Sequence, residues 1–299
     1  MNFTFTDEQL SFGAAVREVL RDHCHPSDRG SGWKQLAELG FFTALVDEEA
    51  GGLGLSLIDV IPAIEETGRA AMPGPVVESL AAAPHLPLAG RTALLVDGVA
   101  LDADLAEAVV DVEGYVVANP VLEPSPGVDP GRVPFSVRAA GQGEPFAGAD
   151  LLTRRVTVGV SAQLVGVARA LLARSVDHAR TRTQFGRPIG AFQAVKHQLA
   201  DVAIAVEFAA PLVHRAALTV DGEGSPPRGR ADRDASAAKV AAGEAAALAA
   251  RTALQVHGAI GYTDELDLRF WLARTWSLTG AYGTTAVHRA RVTEAVFGA

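Results

Sequence analysis

Two short stretches carry residue types that suit an anionic ligand. Arg182-Thr183-Gln184-Phe185-Gly186-Arg187-Pro188-Ile189 falls where one long helical pattern stops and another begins. Gly186 and Pro188 break the helix, and Phe185 is placed to anchor the turn. Arg182 then presents a planar guanidinium near a helix end, able to fork onto a phosphate. Gln255-Val256-His257-Gly258-Ala259-Ile260-Gly261-Tyr262 follows an Ala-rich pattern. Its glycines permit close approach of a ligand, and the Gln255 amide both donates and accepts. Taken singly, each stretch also reads as an ordinary helix end: a cap with solvated arginines, and a glycine C-cap with its loop.

The remaining polar residues read more plainly. His257, His288, His197 and His214 have no carboxylate at metal-ligand spacing, which predicts packing or surface roles. Trp271 and Trp276 read as core or interface anchors. Glu265 and Asp267 are placed to cap the helix after the Gly261-Tyr262 loop, or to orient ligand groups. Cys24 is the single cysteine, so a disulfide framework and a cysteine zinc site are both excluded. With 48% hydrophobic and 20% charged residues, the 299-residue chain is globular and has ample material for a core. The 26 Lys and Arg against 35 Asp and Glu give a net charge of −9 with no basic stripe, which argues against nucleic acid as a partner. No uninterrupted apolar run approaches the ~18 residues of a membrane span. The opening Met1-Asn2-Phe3-Thr4-Phe5 lacks the charged and apolar regions of a signal peptide, so a cytoplasmic location is expected.

These stretches need elements to hold them. Thr6-Asp7-Glu8-Gln9 is a capping box that opens a helix, with Phe5 and Leu10 placed as a hydrophobic staple. Further helices are expected over Trp33 to Leu39, stopping at Gly40, over Ser56 to Ala70 with Pro62 inside, and over 76–88, ended by prolines. Between 92 and 148 the character changes. Short β-branched runs at 92–96, 114–118 and 132–137 alternate with Pro and Gly punctuation. Apolar residues at helical spacing return over 155–181 and 191–219. A breaker from Asp221 to Asp234 precedes an Ala-rich helix over about 235–257, whose small side chains suit a closely packed bundle. Helices over 266–278 and 284–296 finish the chain. The prediction is a mainly α protein: a helical part over 1–91, a small β-rich segment over 92–150, and a helical bundle over 151–299.

Together, and in this order, the two stretches and Phe192-Gln193 resemble the C-terminal helical domain of the acyl-CoA dehydrogenase family. Residues 1–90 agree, through Thr6-Asp7-Glu8-Gln9, Leu39-Gly40-Phe41, Gly51-Gly52-Leu53-Gly54, and Glu65-Glu66 before Gly68. The resemblance covers roughly 1–90 and 155–295. It implies FAD as cofactor, an acyl-CoA thioester as substrate and an electron-transfer flavoprotein as acceptor. It also implies that Arg182, Phe185, Gln193, Gln255 and Gly258 hold the ADP portion of FAD, largely for the flavin seated in a neighbouring subunit. The family's second loop glycine is Ala259 here.

The resemblance fails at the catalytic base. Desaturation needs a carboxylate to take the α-proton while the flavin accepts a hydride. The two positions where the family places it correspond to Gly283, in Ala281-Tyr282-Gly283-Thr284, and Val156. Neither can accept a proton, and Asp150, the nearest upstream carboxylate, lies almost two helical turns from Val156. The middle segment is shorter than the family's and shows no counterpart of its flavin-contacting Thr and Ser motif. These departures resemble the base-lacking subunit of α2β2 acyl-CoA dehydrogenases of bacterial steroid side-chain breakdown. A catalytic partner subunit would then supply the base and the ring contacts, and this chain alone would be inactive. A flavin monooxygenase on the same scaffold and a non-enzymatic relative are the alternatives.

Overall fold

The computed structural model describes residues 4–86, 90–138, 141–222 and 230–298. The first helix, α1 (Asp7–His23), is opened by the expected capping box: the Gln9 N–H donates to the Thr6 hydroxyl, and the Gln9 side chain accepts from the Thr6 N–H. The staple does not form. Leu10 is exposed, and Phe5 instead sets its ring edge-on to His214 at 4.5 Å. Helices α2 (Trp33–Glu38), α3 (Leu57–Arg69) and α4 (Val76–Ala82) follow. Ser56 and Asp59 form a second capping box on α3, and Pro62 lies inside that helix. The expected proline stop after α4 includes Pro87, which lies outside the described residues.

Seven strands, β1 (Thr92–Val96), β2 (Val99–Leu101), β3 (Ala108–Asp111), β4 (Tyr115–Ala118), β5 (Val121–Pro124), β6 (Pro134–Arg138) and β7 (Gly141–Pro145), form one sheet in the order β5-β6-β2-β1-β3-β4-β7. All neighbours are antiparallel except β1 and β3. Sequence patterning found three of these strands. Of the others, β2 and β3 are runs of three and four residues, and β5 and β7 contain Pro or Gly, so none shows a run long enough for alternation to register.

The C-terminal part is built on α5 (Ala149–Thr181), α6 (Gln193–Val220) and α7 (Arg230–His257), followed by α8 (Leu268–Gly280) and α9 (Thr285–Phe297). The first of these begins six residues earlier than its apolar period suggests. Part of the breaker expected before α7 lies outside the described residues. Helix α3 crosses α5 closely: a Cβ on Gly68 would meet the Gln163 carbonyl oxygen, and one on Gly166 would meet that of Glu65. Glu65 ties α3 to Arg169 and, at 3.7 Å, to His214; Glu66 pairs with Arg17 at 2.8 Å and Arg69 at 3.3 Å. Helices α5 and α6 are each long and apolar enough to cross a membrane, contrary to expectation. The apolar window of α5 is 83% buried inside the protein, whereas that of α6 is 44% buried and leaves Ile204, Phe208 and Leu212 exposed.

Candidate functional site

Helix α5 ends at Thr181 with Arg182 as its C-cap, the Arg182 N–H donating to the His178 carbonyl. The chain then reverses through a hairpin, β8 (Thr183–Gln184) and β9 (Arg187–Pro188), closed by the Ile189 N–H donating to the Arg182 carbonyl at 2.8 Å. Both central residues of its two-residue turn have positive φ, +52° at Phe185 and +78° at Gly186. A left-handed conformation costs a bulky residue about 1–2 kcal/mol. Phe185 does not anchor the turn, as its type suggested: it is 92% exposed, and its ring neighbour is Phe192, edge-on at 6.1 Å.

A cavity of about 350 Å³ lies between this hairpin and the end of α7, with Phe185, Ile189, Phe192 and Val195 on its apolar walls and Gln198 and Gln255 among its few polar groups. It brings Phe185 and Gln255 together across 70 residues of sequence. Gln193 is the exposed first residue of α6, directly after Phe192. Gly258 follows the last residue of α7 with φ +64°, and a Cβ there would meet nothing within 4 Å, so backbone conformation rather than crowding calls for glycine. Arg182 is exposed and engaged in no ion pair among the described residues. The donor set fits the ADP portion of FAD: apolar walls for a planar base, amides for its polar edges and an unpaired guanidinium for the diphosphate.

The two positions that the resemblance assigns to the family's base, Val156 and Gly283, lie elsewhere. Val156 is fully buried in α5. Gly283 has φ +113°, and its carbonyl accepts from the buried Lys239 ammonium at 3.2 Å, which also donates to the Thr279 carbonyl at 3.0 Å. Burial, with no carboxylate in contact among the described residues, lowers Lys239 to about 7. A Cβ on Gly283 would stand 2.8 Å from Nε2 of His288. That imidazole is completely buried, with Nδ1 against the Ser236 hydroxyl and Nε2 against the Tyr282 carbonyl, each at 3.1 Å. Burial, then Lys239 and Arg291, lower it to about 4.

Next to it the Tyr282 hydroxyl donates to Glu78, and burial followed by the Glu78 charge pushes the phenol well above its usual value. Glu78 also pairs with Arg132 at 2.5 Å, and Arg132 reaches Asp102 at 3.3 Å, all three essentially without solvent contact. This network, which joins α4, the sheet segment and the turn after α8, was invisible in the sequence because its members are far apart along it.

Other expectations are partly corrected. His214 does meet a carboxylate, Glu65, from another helix, but no group of three potential metal ligands occurs among the described residues. Asp267 stands at the N-cap of α8, where its carbonyl accepts from the Phe270 N–H at 3.0 Å but its side chain makes no capping bond, and Glu265 is exposed. Trp271 is a core anchor, its indole N–H donating to the Arg69 carbonyl at 2.8 Å, whereas Trp276 is half exposed.

Comparison with known proteins defines the class. Residues 5–93 match the acyl-CoA dehydrogenase N-terminal domain and residues 141–297 the C-terminal domain. Acyl-CoA dehydrogenase IpdE2 of Mycobacterium tuberculosis is 30% identical over 87% of this chain and 84% of its own. In fold, the chain is similar to a chain of the ChsE4-ChsE5 complex from Mycobacterium tuberculosis (TM-score 0.84, 21% identity, all of both chains). It is also similar to a variant of the Tcur3481-Tcur3483 steroid ACAD (TM-score 0.77, 22% identity, 97% of this chain and 98% of that one). The chain belongs to the acyl-CoA dehydrogenase family, whose cofactor is FAD.

Proposed function

We propose that this chain is the base-lacking subunit of a heteromeric acyl-CoA dehydrogenase. It completes, from across an interface, the FAD site of a catalytic partner subunit. Arg182, Phe185, Gln193, Gln255 and Gly258 contact the ADP portion of that FAD. The partner supplies the carboxylate that takes the α-proton of the acyl-CoA and the groups that face the flavin ring. When bound, FAD accepts the hydride from the β-carbon. This chain's part is to grip, orient and desolvate the dinucleotide end. Two such pairs give an α2β2 assembly, an electron-transfer flavoprotein reoxidises the flavin, and the cytoplasm is the expected location. A steroid side-chain CoA ester is the substrate class, by analogy with the steroid enzyme of similar fold.

The observation that carries this reading is the contrast between the two regions. The dinucleotide-facing residues are exposed and unpaired, whereas the base positions are a buried valine and a glycine pressed against His288. The exposed Ile204, Phe208 and Leu212 of α6 give the chain apolar surface of the kind a partner covers. Co-expression with a full-length acyl-CoA dehydrogenase that has its Glu tests the reading. Arg182→Ala in this chain is expected to lower the flavin content of the co-purified complex although the partner is unchanged. Unaltered flavin content contradicts the reading.

A further inference from the structure

His178 and His257 stack face to face, with ring centroids 4.3 Å apart and planes inclined by 27°. One lies in the last turn of α5, one helical turn before Arg182; the other is the last residue of α7, between Gln255 and Gly258. The stack therefore joins the two helix ends that carry the dinucleotide-facing residues. The charged groups acting on it are all cationic: Arg182 on His178, and Arg174 on His257. Arg174 itself lies 3.5 Å over the Trp271 ring and feels the Asp267 carboxylate from the start of α8. No carboxylate is in contact with either imidazole among the described residues. The His257 Nδ1–H donates to the Ala253 carbonyl at 2.8 Å, which leaves Nε2 as the free lone pair.

Two helix C-termini converge here, and their dipoles repel an anion. The hairpin supplies two guanidiniums, Arg182 and Arg187, the latter 4.2 Å over the Phe192 ring, and a diphosphate held against both dipoles gains from further positive charge. We propose that the His178–His257 stack is a proton-linked part of the dinucleotide site, taking up a proton when the diphosphate of FAD binds at Arg182. This rests on the reading of the site given above. In the free protein both imidazoles are held below the ordinary histidine value. For His178 the causes are burial, then His257 and Arg182; for His257 they are burial and Arg174, opposed by the bond to Ala253. The stack is thus neutral near pH 7 until an anion arrives. Bound anion favours the protonated form, so affinity is highest at low pH and falls as pH rises through the histidine range.

The test uses the complex of this chain with a catalytic partner, stripped of flavin and titrated with FAD at constant ionic strength. The diphosphate diester of FAD has no proton to lose in this range, so the ligand does not confuse the profile. The expected dissociation constant rises about tenfold between roughly pH 5 and pH 8. His178→Phe, which keeps a ring in the stack, and His257→Gln flatten that rise. Calorimetry of the unsubstituted complex in two buffers of different ionisation enthalpy at about pH 6.5 shows uptake of up to about one proton. Absence of uptake, or a pH slope that both variants leave intact, overturns the proposal. If Arg182→Ala still weakens FAD binding at high pH in that case, the proposed function survives; FAD binding that ignores Arg182→Ala overturns both.

Discussion

A side chain at Gly283 would collide with His288: its Cβ would lie 2.8 Å from Nε2 of that buried imidazole, on a backbone with φ +113°. On the proposed reading, in which Gly283 stands at the family's base position, the turn differs there by more than one side chain. Gly283→Glu is expected to destabilise the chain by about 1–3 kcal/mol. It creates no second catalytic site. Urea unfolding reads the first effect, and flavin reduction by acyl-CoA in the complex, with the partner's own base removed, reads the second. Reduction restored by the substitution refutes this account of the turn.

The Glu78–Arg132–Asp102 network predicts a large structural effect. Arg132→Ala leaves the buried Glu78 carboxylate without its cation, while Asp102 keeps Arg29 at 2.8 Å, and costs about 3–5 kcal/mol. Arg132→Ala combined with Glu78→Gln recovers part of that loss, because the amide carries no charge into the interior. Chemical denaturation of the three chains measures the coupling.

Lys239 and His288 make stability depend on pH in one direction. Each is held below its unfolded value, Lys239 at about 7 and His288 at about 4, so the unfolded chain binds more protons in both windows. Stability therefore rises with pH from about 4 to the ordinary histidine value, and again from about 7 towards the ordinary lysine value. Each group contributes at most about 1.4 kcal/mol per pH unit. Lys239→Met is expected to flatten the alkaline rise and His288→Gln the acid one, read from urea midpoints across pH.

Much of this was legible in the sequence, for reasons that are local. The Thr6 capping box needs three residues of spacing, and α5 through α9 announce themselves by period or by alanine content. Arg182 and Gln255 stand out because helix breakers follow them, whereas Gln193 is reached only through the family resemblance. What stayed hidden depends on distant encounters. Glu78 meets Arg132 and Tyr282 only after folding, and His178 gains meaning only where α5 and α7 end side by side. Phe185 misled as an anchor because an aromatic beside a turn ordinarily packs against it; here the ring is exposed and the backbone left-handed.

Burial also predicts the behaviour of the lone thiol. Burial, opposed by its bond to Ser31, pushes Cys24 up to about 11, so the thiolate is scarce at neutral pH. Cys24 in the folded chain is expected to react with a thiol reagent at least about tenfold more slowly than in urea. Equal rates contradict the structure around α1.

The central claim is tested most directly by counting flavin. The complex of this chain with its catalytic partner, weighed by native mass spectrometry and assayed by absorbance after denaturation, is predicted to hold one FAD per heterodimer. The separated chain is predicted to hold none and to leave acyl-CoA unoxidised. A separated chain that retains stoichiometric FAD and is reduced by an acyl-CoA contradicts the account.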